Sequence, residues 1–159
     1  MLTDGTDIML NYSGWLDLVG YIPQSIFLLD GTVRENVLFG NSESTDDKVW
    51  KALEDAKLAD FIRKQPRGLD TKIGERGIRF SGGQCQRLGI ARALYNDPEL
   101  LIFDEATSSL DNETESEIME SINALHGKKT MVIIAHRLQT IENCDIVYKV
   151  HDKKIERIR

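Results

Sequence analysis

Residues Glu99–Glu105 read ELLIFDE. Side chains alternate between the two faces of a strand, so the unbroken apolar run Leu100–Phe103 marks a strand covered on both faces, as in a parallel sheet. The run stops abruptly at Asp104 and Glu105. Two carboxylates placed there have no basic neighbour in sequence, and burying them unpaired is costly, so they read as functional rather than as helix caps. Adjacent residues at a strand end point to opposite sides, which lets one hold a hydrated metal ion while the other faces a water. Mg²⁺ with phosphate oxygens is the natural partner of such a pair.

Outward from that run, the pattern alternates. A helix carries Ile118, Ile122 and Leu125 inward and ends at Gly127; TMVIIA (130–135) repeats the buried-strand pattern and ends at His136. A short helical stretch follows, then DIVYKV (145–150) as a third strand. Strands alternating with helices predict an α/β fold with a doubly wound parallel sheet. Ligands in such sheets sit beyond the carboxyl ends of the strands, where Asp104, Glu105 and His136 fall.

Before the decisive strand stands FSGGQCQR (80–87). Ser81 with Gln84 three residues on forms a capping box at a helix start. Gly82 and Gly83 are not explained by a cap; glycines are kept where backbone must approach something closely. The helix they open shows Leu88, Ala91 and Leu94 on one face and stops at NDP (96–98). Further upstream, Val49, Leu53, Ala56 and Phe61 recur at near-helical spacing and end before Pro66. Between Gly20 and Gly40 lie a short strand signal, Pro23 and a Gly31 turn. The acidic run DNETESE (111–117) reads as a favourable charge bias at a helix N-terminus.

The bulk numbers narrow the function. A chain of 159 residues with 41% hydrophobic and 29% charged residues builds one globular core. A net charge of -6 and a pI near 5.1 argue against a nucleic-acid partner. Cys85 and Cys144 lack metal-ligand spacing and read as reduced thiols. No apolar run approaches the roughly 18 residues that cross a bilayer, and the first residues lack a basic leader.

SGGQ, LLIFDE about 20 residues later, SSLD (108–111) and a histidine at the next strand end together resemble the ATP-binding cassette (ABC) family. FSGGQ is similar to its signature motif, LLIFDE to the Walker B strand, SSLD to the D-loop, His136 to the switch histidine and Gln24 in YIPQS to the Q-loop glutamine. GERG (74–77) is similar to the X-loop of exporters. The resemblance implies a partial P-loop NTPase-like sheet with an inserted helical subdomain at about 35–95 and a Walker B, D-loop and switch part at about 96–159.

It also implies roles. Asp104 would ligate Mg²⁺ through water, and Glu105 would be the general base. His136 would hold the γ-phosphate of ATP, Gln24 would sense metal and water, and Asp111 would relay across a dimer. Ser81, Gly82, Gly83 and Gln84 would bind the nucleotide of a second subunit, at a helix N-terminus that favours anions. The implied function is ATP hydrolysis driving export at the cytoplasmic face of a membrane. The implied partners are a second ABC ATPase subunit and a transmembrane domain, with IPQSIFLLDGTVRENVLFG and DNETESEIM resembling transporters that flip lipid-linked oligosaccharides. A soluble ABC ATPase of translation or DNA repair is the alternative, as is an inactive fragment.

Two residues depart from the family pattern: Phe80, where leucine is commoner, and Cys85, where a basic residue is usual and where a thiol beside phosphate is expected to be oxidation-sensitive. A glycine-rich turn ending Gly-Lys-Ser/Thr does not occur. The expectation is therefore that the phosphate-cradling loop and its lysine lie upstream, that the chain alone turns over little ATP, and that a homodimer does not repair this.

Overall fold

A computed structural model describes residues 2–3, 5–41, 45–107 and 112–159. The expected D-loop, Asp111 included, lies outside the described residues.

The chain opens with a small antiparallel hairpin, β1 (Leu2–Thr3) and β2 (Thr6–Asp7), then helix α1 (Tyr12–Asp17) and strand β3 (Val19–Ile22). Four helices follow: α2 (Val33–Leu38), α3 (Asp46–Asp55), α4 (Ala59–Arg63) and α5 (Gly82–Leu94). Local chemistry sets their starts. Thr32 and Glu35 close a capping box on α2, as Ser81 and Gln84 do on α5. Asp46 and Asp47 fall in the first turn of α3, where negative charge opposes the helix dipole.

Strand β4 (Leu100–Asp104), helix α6 (Asn112–Asn123) and strand β5 (Thr130–Ile134) complete the centre. The three-stranded sheet runs in the order β3, β4, β5, all parallel, with Ile22 opposite Phe103 and Asp104 opposite Ile134. Ile22, Leu101 and Phe103 are buried on one face in a core that also takes in Leu88, Ile90, Leu94, Ile118 and Ile122.

Two sequence expectations are corrected. The apolar run of β4 is covered on one face, not both: Tyr21, Val132 and Ile134, which share the other face with Ile102 and Asp104, are 54%, 47% and 47% exposed. DIVYKV does not extend the parallel sheet. Its last residues form β6 (Tyr148–His151), which pairs antiparallel with β7 (Lys154–Arg157) as a separate hairpin. Both arrangements present the same local apolar pattern, and only the pairing partner distinguishes them.

Candidate functional site

The parallel register brings four expected residues to one end of the sheet. Gln24 lies two residues beyond β3 and is exposed, Asp104 closes β4 with Glu105 after it, and His136 lies two residues beyond β5. Asp104 and Glu105 are half-buried rather than enclosed, and they turn to different partners.

Asp104 accepts a hydrogen bond at Oδ2 from the Tyr21 hydroxyl, at 2.8 Å. Tyr21 and Asp104 share a face of adjacent strands, close enough on the diagonal for an aromatic side chain to span. The Asp104 carboxylate accepting its proton pushes the Tyr21 phenol above its ordinary value. Tyr21 was not among the expected site residues, since a tyrosine in a strand is an ordinary strand former.

Glu105 leaves the strand in the left-handed region, with φ of 48°, while its N–H still donates to the Ile134 carbonyl at 3.0 Å. A non-glycine residue held there carries backbone strain of the kind that clusters at functional sites. Its Oε1 lies 2.5 Å from His136 Nε2. A cavity of about 170 Å³ adjoins the pair, lined among others by Phe103, Met119, Ile122 and Thr140.

The second expected group sits at the start of α5. Ser81 Oγ accepts from the Gln84 N–H at 3.3 Å and Gln84 Oε1 accepts from the Ser81 N–H at 2.9 Å, so both side chains serve the cap. Ser81 and Gly82 are exposed, but Gly83 is buried. A Cβ on Gly83 would fall 2.3 Å from Thr114 Cγ2, so this glycine serves the packing of α5 on α6. Arg87 adds an ion pair from α5 to Glu117 of α6, at 2.5 Å. The sequence gives the backbone amides of both glycines to phosphate; the close approach of Thr114 concerns the Cα side of Gly83 and leaves that assignment of its N–H a proposal.

Cys85, at the same helix start, is a half-buried free thiol. Its Sγ lies 3.7 Å from the Gly77 carbonyl and 3.9 Å from that of Phe80, and burial pushes the thiol up, away from the reactive thiolate.

Residues behind the sheet end were missed. Glu115, inside the acidic run read as a charge bias at a helix N-terminus, is 5% exposed and pairs with Arg137, which follows His136. An acidic residue near a helix start carries no sequence mark that separates an exposed role from a buried one.

A metal ion fits here only with ligands from elsewhere. Among the described residues no cluster of three or more His, Cys, Asp or Glu could hold one. A single carboxylate with one oxygen engaged by Tyr21 suits an ion such as Mg²⁺ that keeps its waters and arrives on phosphate oxygens.

Comparison with known proteins places these features in a family context. The model of the family described as ABC transporter matches residues 2–108. An uncharacterized ABC transporter ATP-binding protein of Bacillus subtilis, YwjA, is 44% identical over 138 residues, covering 87% of this chain and 24% of that protein. A putative multidrug export ATP-binding/permease protein of Staphylococcus aureus is 44% identical over 156 residues, covering 98% of this chain and 27% of that protein. A solved structure of a bacterial Atm1-family ABC exporter with ATP bound is similar with a TM-score of 0.83 at 37% identity, covering 98% of this chain and 28% of the other. The chain thus spans about a quarter of the length of the curated relatives it matches.

Proposed function

Because the chain belongs to the ABC transporter family, we propose that it is part of the ATP-binding unit of an ABC exporter, in which ATP hydrolysis drives transport across a membrane. The observation that carries this reading is the Glu105–His136 contact beside Asp104, at the carboxyl end of a parallel sheet. The relatives' names support export, and a multidrug exporter is among them. None of the relatives named here carries a lipid-linked oligosaccharide description.

In this reading Asp104 would hold Mg²⁺ through its water shell, with Tyr21 donating to its Oδ2 and fixing the carboxylate. Bound Mg²⁺ supplies neutralisation of phosphate charge. Glu105 would take the proton of the water that attacks the terminal phosphorus as the bond to the bridging oxygen breaks and ADP leaves, and His136, now on Glu105, would orient Glu105 and hold the terminal phosphate. Gln24 faces the same end of the sheet and reports its state to a transmembrane domain. The free N–H groups at the start of α5, with Ser81, Gly82 and the Gln84 that completes their cap, face a nucleotide held by a second ATPase subunit. Gly83 would add its backbone N–H to that surface, and Asp111 would relay between subunits. The helical subdomain at about 35–95 carries the signature, and the part at about 96–159 carries the carboxylates. The assembly works at the cytoplasmic face of a membrane.

Since the sequence holds no Gly-Lys-Ser/Thr turn, the nucleotide's phosphate cradle comes from another polypeptide segment. The test is a mixture of this chain with the ATP-binding unit of the Staphylococcus aureus relative, its own signature serine replaced. Turnover is expected only when this chain is added, and is expected to vanish with Ser81→Arg. Turnover that ignores Ser81→Arg, or that never appears, rejects the reading.

A further inference from the structure

We propose that Glu115 is the positioning residue of the Glu105–His136 pair, a single buried carboxylate that clamps the two backbone segments carrying it. The functional meaning of the clamp rests on the reading of Glu105 and His136 given above.

The strands alone do not fix the pair. Glu105 leaves β4 with a positive φ, and its N–H to the Ile134 carbonyl is the last rung of the ladder. Ala135 and His136 lie past the end of β5. Something else must hold both segments.

Glu115, in the first half of α6, reaches each of them. Its Oε2 pairs with Arg137, the residue after His136. Its Oε1 accepts from the Thr107 hydroxyl at 3.0 Å, two residues beyond Glu105, and from the Thr140 hydroxyl at 3.3 Å. Thr107 and Thr140 are each 6% exposed, so these bonds form out of water. A carboxylate in that setting is held in one orientation, because losing any partner leaves a buried acceptor short.

Stability alone is a weak reason to keep such a group. Buried ion pairs gain little over apolar residues of similar volume, although breaking one is costly. What the carboxylate supplies that an apolar residue does not is direction: it fixes where the chain goes after Glu105 and after His136. The same helix meets α5 through Thr114 and Glu117, so the clamp stands on a part of the fold anchored from a second side.

The experiment is the ring nitrogen spectrum of ¹⁵N-histidine-labelled full chain at one fixed pH. His136→Gln assigns its signal among the three histidines. Glu105→Ala defines the signal of an unpaired ring. In Glu115→Gln, which keeps shape but removes the charge, the His136 signal is expected to move most of the way to the unpaired position. In Thr140→Val, which removes one hydroxyl at constant shape, it moves in the same direction by less. A merely structural Glu115 would lower the melting temperature and leave the His136 signal in place. If the signal stays at the wild-type position in folded Glu115→Gln, the proposal is overturned; should that variant not fold, an unmoved signal in Thr140→Val overturns it. No nucleotide is used, so failure of the ATPase reading leaves this result readable.

Discussion

Cys85 shows how three-dimensional surroundings settle a residue's chemistry. The thiol packs against two backbone carbonyls, and burial holds it in the protonated form that is poorly nucleophilic. Thiol reagents at neutral pH are expected to label Cys85 more slowly than a free cysteine in a peptide, rising to the peptide rate in urea; fast labelling of the folded chain would contradict this. Asp97 offers a pH-dependent case. Lys129 donates to its carboxylate at 2.6 Å and holds it below the ordinary carboxylate range. A depressed carboxylate adds stability only above its unfolded value of about 3.9 and gives it up as pH falls through its folded value. The pair is open to solvent on the Asp97 side, so it is worth roughly 0.5 kcal/mol or less. Lys129→Met is expected to lower stability by that amount near neutrality and to converge with the parent chain in acid, as read by denaturant titration across pH.

At the scale of elements, close packing of helices on the sheet is the sensitive feature. Gly20 in β3 lies under the end of α5: a Cβ there would meet the Ala93 carbonyl oxygen at 2.9 Å and Leu101 Cδ2 at 2.7 Å. The carbonyl belongs to the helix backbone and cannot swing away, so Gly20→Ala is expected to cost about 1–3 kcal/mol in urea unfolding. The sequence marked α3, α5, β4 and β5 because apolar spacing and capping boxes are local signals. It also marked a strand near Gly20. It could not mark the partner of β6, because Tyr148–His151 carries no local sign that it pairs with the chain just after it rather than with β5. Nor could it separate Gly83 from Gly82: one packs on Thr114 and the other is exposed, a difference set by where α6 lies.

Across the whole molecule, the sheet presents one covered face and one open one. Val132 and Ile134 stand exposed on β5, which is the last strand of the sheet among the described residues. An exposed apolar edge strand pairs readily with other chains, so light scattering at neutral pH is expected to rise with concentration. Val132→Lys places a charge on that edge and is expected to suppress the rise without lowering the melting temperature; unchanged scattering would place the association elsewhere. The sequence by itself determined the family, the parallel β4–β5 core and the order of the site motifs, because these follow from contiguous residues: apolar runs, a capping box, carboxylates at a strand end. Only the tertiary structure decided that Tyr21 holds Asp104, that Glu105 meets His136, and that Glu115 binds Arg137, Thr107 and Thr140. Those contacts join residues 83, 31, 22, 8 and 25 positions apart, and a chain's local propensities carry no information about which distant groups its folding brings to one place.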